Sequence, residues 1–259
     1  MIKAVFFDID GTLISWRTKK MPPSVRPALE RLREKGILCI VATGRSLFEI
    51  QEGHMLDGLT FDAYLLNSGR YAVDNAGNCF FSTPVDSGDL SALLSWVEQT
   101  GVSCWMVNAE RSAINHVTPA AEKAMSDIST AMPAIADLHT LCRKPVYKFA
   151  LFLPPEKLPT ALLPHCSNMR WHESAHDLFS NAGGKEKALH AALSHFGLRR
   201  EECMAFGDSD NDIEMLRYAG IGVAMGAAED CVKDAADYVT ADCDDDGILL
   251  ALEHYHVMD

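Results

Sequence analysis

The chain has 259 residues, 48% of them hydrophobic, and a formal net charge of -13. That length suits one large domain or two modest ones, and the apolar share argues against global disorder. An acidic surface repels nucleic acid and anionic lipid, so neither is expected as a partner, and a phosphate site must bring its own positive charge.

The predicted elements follow in chain order. Lys3 to Phe7 reads as a buried strand that runs into Asp8 and Asp10. From Ser24, the apolar residues Val25, Leu29 and Leu32 keep helical spacing, and Gly36 supplies the stop. Residues 37–42 (ILCIVA) form a second buried strand, followed by Thr43, Gly44 and Arg45. Ser46 and Glu49 make a capping box for the next helix. Residues 61–66 are a third strand, and YAVD and CFFS flank residues 75–78 as a hairpin. Strands separated by helices predict parallel pairing with right-handed crossovers.

After Thr83 and Pro84 the texture changes. A helix over 89–100, the strand SCWMVN, a helix near 119–131 and the strand 147–153 are predicted, then a short helix and the strands MRW and DLFS. These lack βαβ regularity and read as an α+β insertion over 83–181. Alternation then resumes. A helix from Lys185 to Phe196 is closed by Gly197, and the strand CMAFGD ends at Asp208. Helices over 210–219 and 227–236, the strands IGVAM and YVT, and a final helix from Gly247 to His254 follow. The whole predicts a doubly wound, mainly parallel α/β core, 1–82 and 182–259, split by an inserted domain.

In open α/β sheets, ligands bind at the carboxyl ends of the strands. Asp8, Asp10, Thr43 and Asp208 all follow apolar strands there. Three carboxylates brought together repel one another, and a bound cation relieves that. Oxygen donors without paired His or Cys favour Mg²⁺ over zinc. Asp210, just ahead of a helix, is expected to cap it rather than to bind metal.

Together, DIDGT at 8–12, ATGR at 42–45, Lys185 before a helix and GDSDND at 207–212 resemble the four motifs of the haloacid dehalogenase superfamily of phosphatases, in order and spacing. The placement of the insertion and the tail AADYVTADCDDDG resemble its Cof-type branch with a C2-type cap. The resemblance implies a Rossmann-like core and a substrate-selecting cap. Asp8 would be the nucleophile that forms an aspartyl phosphate. Asp10 would be general acid and then general base, starting protonated beside its neighbouring carboxylate and lending its backbone carbonyl to Mg²⁺. Thr43, with Gly11, Gly44, Arg45 and Asn211, would bind the phosphoryl group. Lys185 would hold Asp8 and a phosphate oxygen together, and Asp208 would ligate Mg²⁺ with Asp212 beside it. The expected activity is Mg²⁺-dependent hydrolysis of small phosphorylated metabolites, sugar phosphates above all. A phosphotransferase or phosphomutase on the same core, and a non-catalytic phosphate-ligand binding protein, are the rivals. The chain departs from the family at 67–69, where Asn67 precedes Ser68-Gly69 in place of the usual Asn-Gly.

Other residues carry blander readings. Arg45 suits either a phosphate or a structural salt bridge. Lys187 is expected on a solvated helix face, and Arg170, Trp171, His172 and His176 as ordinary residues of the insertion. The acidic run Asp242, Asp244, Asp245 and Asp246 reads as a solvated loop. The eight cysteines form no CxxC pair and read as small hydrophobes in a reducing compartment. With no secretory signal and no membrane-spanning run visible, a cytoplasmic protein is expected; its oligomeric state is left open.

Overall fold

The strand β1, Ala4–Phe7, has four apolar side chains, and all four are buried. Because side chains alternate along a strand, burying them all requires cover on both faces of the sheet. The computed structural model, which describes residues 1–56, 58–128 and 130–258, supplies that cover. Val5 and Phe7 pack with Leu29 and Leu32 of helix α1 (Val25–Glu34) and with Ile248 and Leu252 near the C-terminus. Ala4 and Phe6 pack on the opposite face with Leu189, Leu193 and Met215.

The chain continues through β2 (Leu38–Ala42), α2 (Leu47–Glu52), β3 (Ala63–Leu66), β4 (Tyr71–Asp74) and β5 (Cys79–Ser82). Glu49 accepts from the backbone N–H of Ser46 at 2.7 Å, closing the start of α2 as its sequence spacing predicts. By contact the chain divides into one unit of 1–82 with 184–259 and a second of 83–183.

The second unit contains α3 (Ser87–Thr100), β6 (Cys104–Asn108), β7 (Ser112–Ile114), α4 (Pro119–Asp127), α5 (Leu138–Leu141), β8 (Val146–Leu151), β9 (Cys166–His172) and β10 (Ala175–Ser180). Its strands form an antiparallel sheet in the order β7-β6-β8-β10-β9. One face of that sheet, with Met106, Phe149, Leu151 and Leu178, packs on Leu93, Leu94 and Val97 of α3. The helix predicted near 119–131 stops at Asp127, two residues beyond its last buried side chain, Met125; Ser129, inside the predicted span, lies outside the described residues. The short helix predicted after Pro155 is two 3₁₀ turns, Pro155–Lys157 and Thr160–Leu162, neither with a buried residue to extend it.

The first unit resumes with α6 (Lys185–His195), β11 (Cys203–Gly207), α7 (Ile213–Tyr218), β12 (Ile221–Ala224), α8 (Asp230–Lys233), β13 (Tyr238–Val239) and α9 (Gly247–His254). The eight-stranded sheet has the order β13-β12-β11-β1-β2-β3-β4-β5. It is parallel from β13 to β3 and antiparallel through β4 and β5. The helix expected over 227–236 is a single turn, α8, anchored by Val232. The helix expected from Asp210 begins as a 3₁₀ turn, Asp210–Asp212, and becomes α-helical at Ile213. That turn is closed by Asp212, whose Oδ2 accepts from the backbone N–H of Ser209, and not by Asp210, whose Oδ1 takes the thiol of Cys231.

The turn after β3 carries three successive left-handed residues, Asn67 (φ 50°), Ser68 (φ 53°) and Gly69 (φ 74°). Gly69 meets the start of α6: a Cβ there would lie 2.3 Å from the carbonyl oxygen of Gly184. Gly69→Ala adds a backbone clash to an unfavourable φ and should cost about 1–3 kcal/mol of stability. Urea unfolding checks this, and an unchanged midpoint would show that the turn can yield.

Candidate active site

The strand order sets β1 between β11 and β2, so their carboxyl ends lie side by side. Asp8 leaves β1, Asp208 leaves β11 and Thr43 leaves β2. Lys185, the first residue of α6, is 2% exposed. Its Nζ donates to Asp8 Oδ1 at 2.7 Å and to Asp212 Oδ1 at 2.5 Å. Burial pulls the Lys185 ammonium down, but the Asp212 and Asp8 carboxylates outweigh it and hold the group charged. Burial raises Asp8 well above the ordinary carboxylate range; Lys185 opposes this, while Asp212, Asp208 and Asp10 reinforce it. Asp208 is pushed up to about 6, first by burial and then by Asp212.

Asp8, Asp208 and Asp212 each offer an oxygen within 4.8 Å of the others. Among the described residues, Lys185 pairs with Asp8 and Asp212 but not with Asp208, so three carboxylates stand beside a single ammonium. An all-oxygen donor set with that charge fits a hard divalent cation such as Mg²⁺. Asp212 is fully buried and already accepts from Lys185, Asp208 N and Ser209 N. It therefore orients Lys185 and the Asp208 turn whether or not it also reaches the cation.

Asp10 lies outside this cluster. Arg45 grips it with two hydrogen bonds, Nε to Oδ2 at 2.6 Å and Nη2 to Oδ1 at 2.8 Å. Asp10 thus has a guanidinium partner as well as the neighbouring Asp8 carboxylate, on which its charge acts. Of the two readings open for Arg45, the structure shows the ion pair. Thr43 is 1% exposed, and its Oγ1 accepts from the backbone N–H of Arg45 at 3.2 Å. A Cβ at Gly44 would lie 3.4 Å from Ser68 Oγ and 3.9 Å from Asn211 Nδ2, so the turns after β2, β3 and β11 meet there. Among the described residues, both polar side-chain atoms of Asn67 and the Oδ1 of Asn211 are buried without a hydrogen-bond partner. Buried polar groups are normally satisfied, so these suit a polar occupant. Gly11 (φ 87°) leaves room beside Asp208: a Cβ there would lie 2.1 Å from its Oδ2.

Several participants escaped the sequence reading. Trp16 donates from Nε1 to Asp208 Oδ2 at 3.1 Å. Arg70, buried behind the left-handed turn, donates to the carbonyl of Ser68 at 2.5 Å, and burial lowers its pKa to about 10. Asp244, expected in solvent, accepts from Ser15 Oγ and Arg17 Nε. Lys187 is exposed, as expected. In the inserted unit, Trp171 Nε1 donates to Asp177 at 2.8 Å, and Asp177 pairs with Lys148 at 3.6 Å. His172 pairs with Asp127, and His176 is buried.

The sequence profile of the haloacid dehalogenase-like hydrolases matches residues 5–252. The chain belongs to that family. The pyridoxal phosphate phosphatase YbhA of Escherichia coli is 28% identical over 263 residues, 95% of this chain and 96% of that protein. A Streptococcus pyogenes protein named as a candidate bifunctional phosphatase/peptidyl-prolyl cis-trans isomerase is 29% identical over 261 residues; the chain spans 55% of its length. The solved structure of the subclass IIB sugar phosphatase BT4131 is 33% identical, superimposes with a TM-score of 0.82, and covers 98% of this chain and 99% of its own. That of BT1666 from Bacteroides thetaiotaomicron, described among the phosphatases of the superfamily, gives 0.90 at 29% identity over 99% and 96%. Within the family, these likenesses set the chain in the Cof-type phosphatase branch, among the phosphoric monoester hydrolases.

The raised Asp208 makes a pH prediction. A carboxyl that titrates at about 6 folded and at 3.8 unfolded holds its proton longer in the folded state, so its contribution to stability falls as pH rises between those values. Asp208→Asn removes that loss. In chelator, the melting temperature of the variant minus that of wild type should grow between about pH 4 and 6 and level off above. A flat difference would mean that Asp208 titrates as an ordinary carboxylate.

Proposed function

We propose that this enzyme is a Mg²⁺-dependent phosphatase of small phosphorylated metabolites, sugar phosphates foremost, and that it works through an aspartyl phosphate on Asp8. The observation that carries this reading is the buried Asp8 carboxylate, tied to Lys185 at 2.7 Å within a cluster of carboxylates at the strand ends. Lys185 engages Oδ1, and among the described residues no hydrogen bond reaches Oδ2, which serves as the attacking atom. Asp8, the Asp10 carbonyl and Asp208 would hold Mg²⁺, which would supply Lewis-acid charge for the phosphoryl oxygens.

Asp8 attacks phosphorus, the Asp8–phosphorus bond forms and the ester P–O bond breaks. Asp10 gives its proton to the leaving alkoxide. It then takes a proton from the water that attacks the phosphoenzyme, releasing inorganic phosphate and freeing Asp8. Both oxygens of Asp10 accept from Arg45 in this structure, so one of those bonds must open and that oxygen take up a proton before Asp10 can act as the acid; the proton later taken from water restores it for the next turnover. Thr43, Gly44 and Asn211 line the phosphoryl position, and Lys185 neutralises charge that develops there. Substrates named for relatives, pyridoxal phosphate for YbhA and sugar phosphates for BT4131, support the small-metabolite reading. Among the described residues no helix is long and apolar enough to cross a membrane. The cysteines are all free, which suits a reducing, cytoplasmic setting.

The test is a panel of phosphate esters scored by kcat/KM with Mg²⁺ and with chelator. Steady phosphate release that needs Mg²⁺ and ranks sugar phosphates first is expected; isomerisation with little release would mean a mutase, and inactivity across the panel a binding protein. Asp8→Asn should abolish turnover without unfolding, and normal phosphate release by the folded variant would sink the covalent mechanism. Asp10→Asn should slow hydrolysis by about 10²–10⁴-fold, less for aryl phosphates with good leaving groups. A loss independent of leaving group in single-turnover experiments would reduce Asp10 to shaping the site.

A further inference from the structure

Trp16 is 53% exposed, so core packing does not account for its place. Its position is nonetheless well determined. Ser15 is fully buried, and its Oγ accepts from the backbone N–H groups of Arg17 at 3.1 Å and Thr18 at 3.0 Å. The loop closes where Ser15 N donates to the Lys20 carbonyl at 3.0 Å and Lys19 N to the Ser15 carbonyl at 2.9 Å. The closed loop is then pinned from outside. Ser15 Oγ donates to Asp244 Oδ2 at 2.9 Å, and Arg17 Nε donates to the same oxygen at 3.0 Å. Lys19 lies over the Trp16 ring, 4.9 Å from its centroid.

What this loop presents is one indole N–H, donated to Asp208 Oδ2 at 3.1 Å. Ser209 Oγ donates to that oxygen at 3.3 Å, while among the described residues Oδ1 receives only a long 3.4 Å contact from Thr12 Oγ1. Room for the indole depends on Gly11, where a Cβ would lie 2.4 Å from Nε1. A tryptophan N–H donates and never accepts, so it can steady a carboxylate without competing for a cation.

We infer that Trp16 is a positioning residue for metal binding: its N–H holds Asp208 Oδ2, turns Oδ1 toward the cation, and is itself kept in place by Asp244. This rests on the proposed role of Asp208 as a Mg²⁺ ligand. Groups that orient a metal ligand typically change affinity by about 10–100-fold when removed. The test is calorimetric Mg²⁺ titration of metal-free wild type, Trp16→Phe and Trp16→Ala, with kcat measured at saturating Mg²⁺.

Phe keeps the ring and loses the donor. Both variants are expected to bind Mg²⁺ about tenfold more weakly than wild type, with kcat near wild type once Mg²⁺ saturates. Wild-type affinity in Trp16→Phe overturns the inference; if only Trp16→Ala is weakened, the ring matters as packing and the donor does not. Wild type that binds no Mg²⁺ overturns the metal reading and this inference with it. Asp244, whose side chain accepts from Ser15 and Arg17 of the loop, gives a second check as Asp244→Asn: a smaller loss of affinity is expected. Unchanged affinity there would show that Asp244 does not hold Trp16 in place and would overturn that part of the inference.

Discussion

The first unit is organised around one buried ammonium. Lys185 sits between Asp8 and Asp212 with almost no access to water. Removing a lone charge from water costs several kcal/mol, and the cost is offset only when partners are close and well aimed. Each neighbouring element is placed to keep them so. The β1–β11 pairing brings the Asp8 and Asp208 ends together, and the turn after β11 puts Asp212 beneath Lys185. Gly69 lets the β3 turn lie against the first peptide of α6. The backbone strain in that turn and the dense charge at the strand ends come from the same demand.

The surroundings explain how an acidic protein can receive an anion. The net charge of -13 is spread over the chain, but Lys185 and Arg45 stand at the ends of the central strands. Arg45 is already committed to Asp10, so under the proposed function a phosphate would compete with a carboxylate for the same planar fork. Burial of Asp8 and Asp208 makes their charged forms costly, and under the proposed function a bound cation would relieve that cost.

Much of this was legible from sequence because it follows from burial. Strands buried on both faces read as unbroken apolar runs, and AVFF, ILCIVA and CMAF identified the centre of the sheet with their polar residues at the ends. Short elements failed where one anchor had to decide: α8 rests on Val232 alone, and no window of ten residues reveals that. Contacts between distant residues were invisible for another reason. Asp244 and Ser15 are 229 positions apart, and a run of aspartates before a helix looks solvated unless its partner is known. Trp16 carried no periodic signal, being an exposed residue on a loop, and the fork between Arg45 and Asp10 depends on a side-chain direction that spacing does not determine.

The place of β1 in the sheet also sets a timetable for synthesis. Ala4 pairs with Leu38 on one side but with Cys203 on the other. The strand that carries Asp8 therefore leaves the ribosome with one of its two neighbours still about two hundred residues from being made. The inserted unit, whose strands pair among themselves, ends at residue 183, ahead of that neighbour, which begins at Cys203. Its apolar core can form first, while β1 to β5 wait with an open edge where β11 will dock. Such long-range closure is slow and leaves a sticky strand edge exposed during translation. The nascent chain is most exposed to misassociation during that interval, and closure of the sheet and assembly of the candidate site become a single late event.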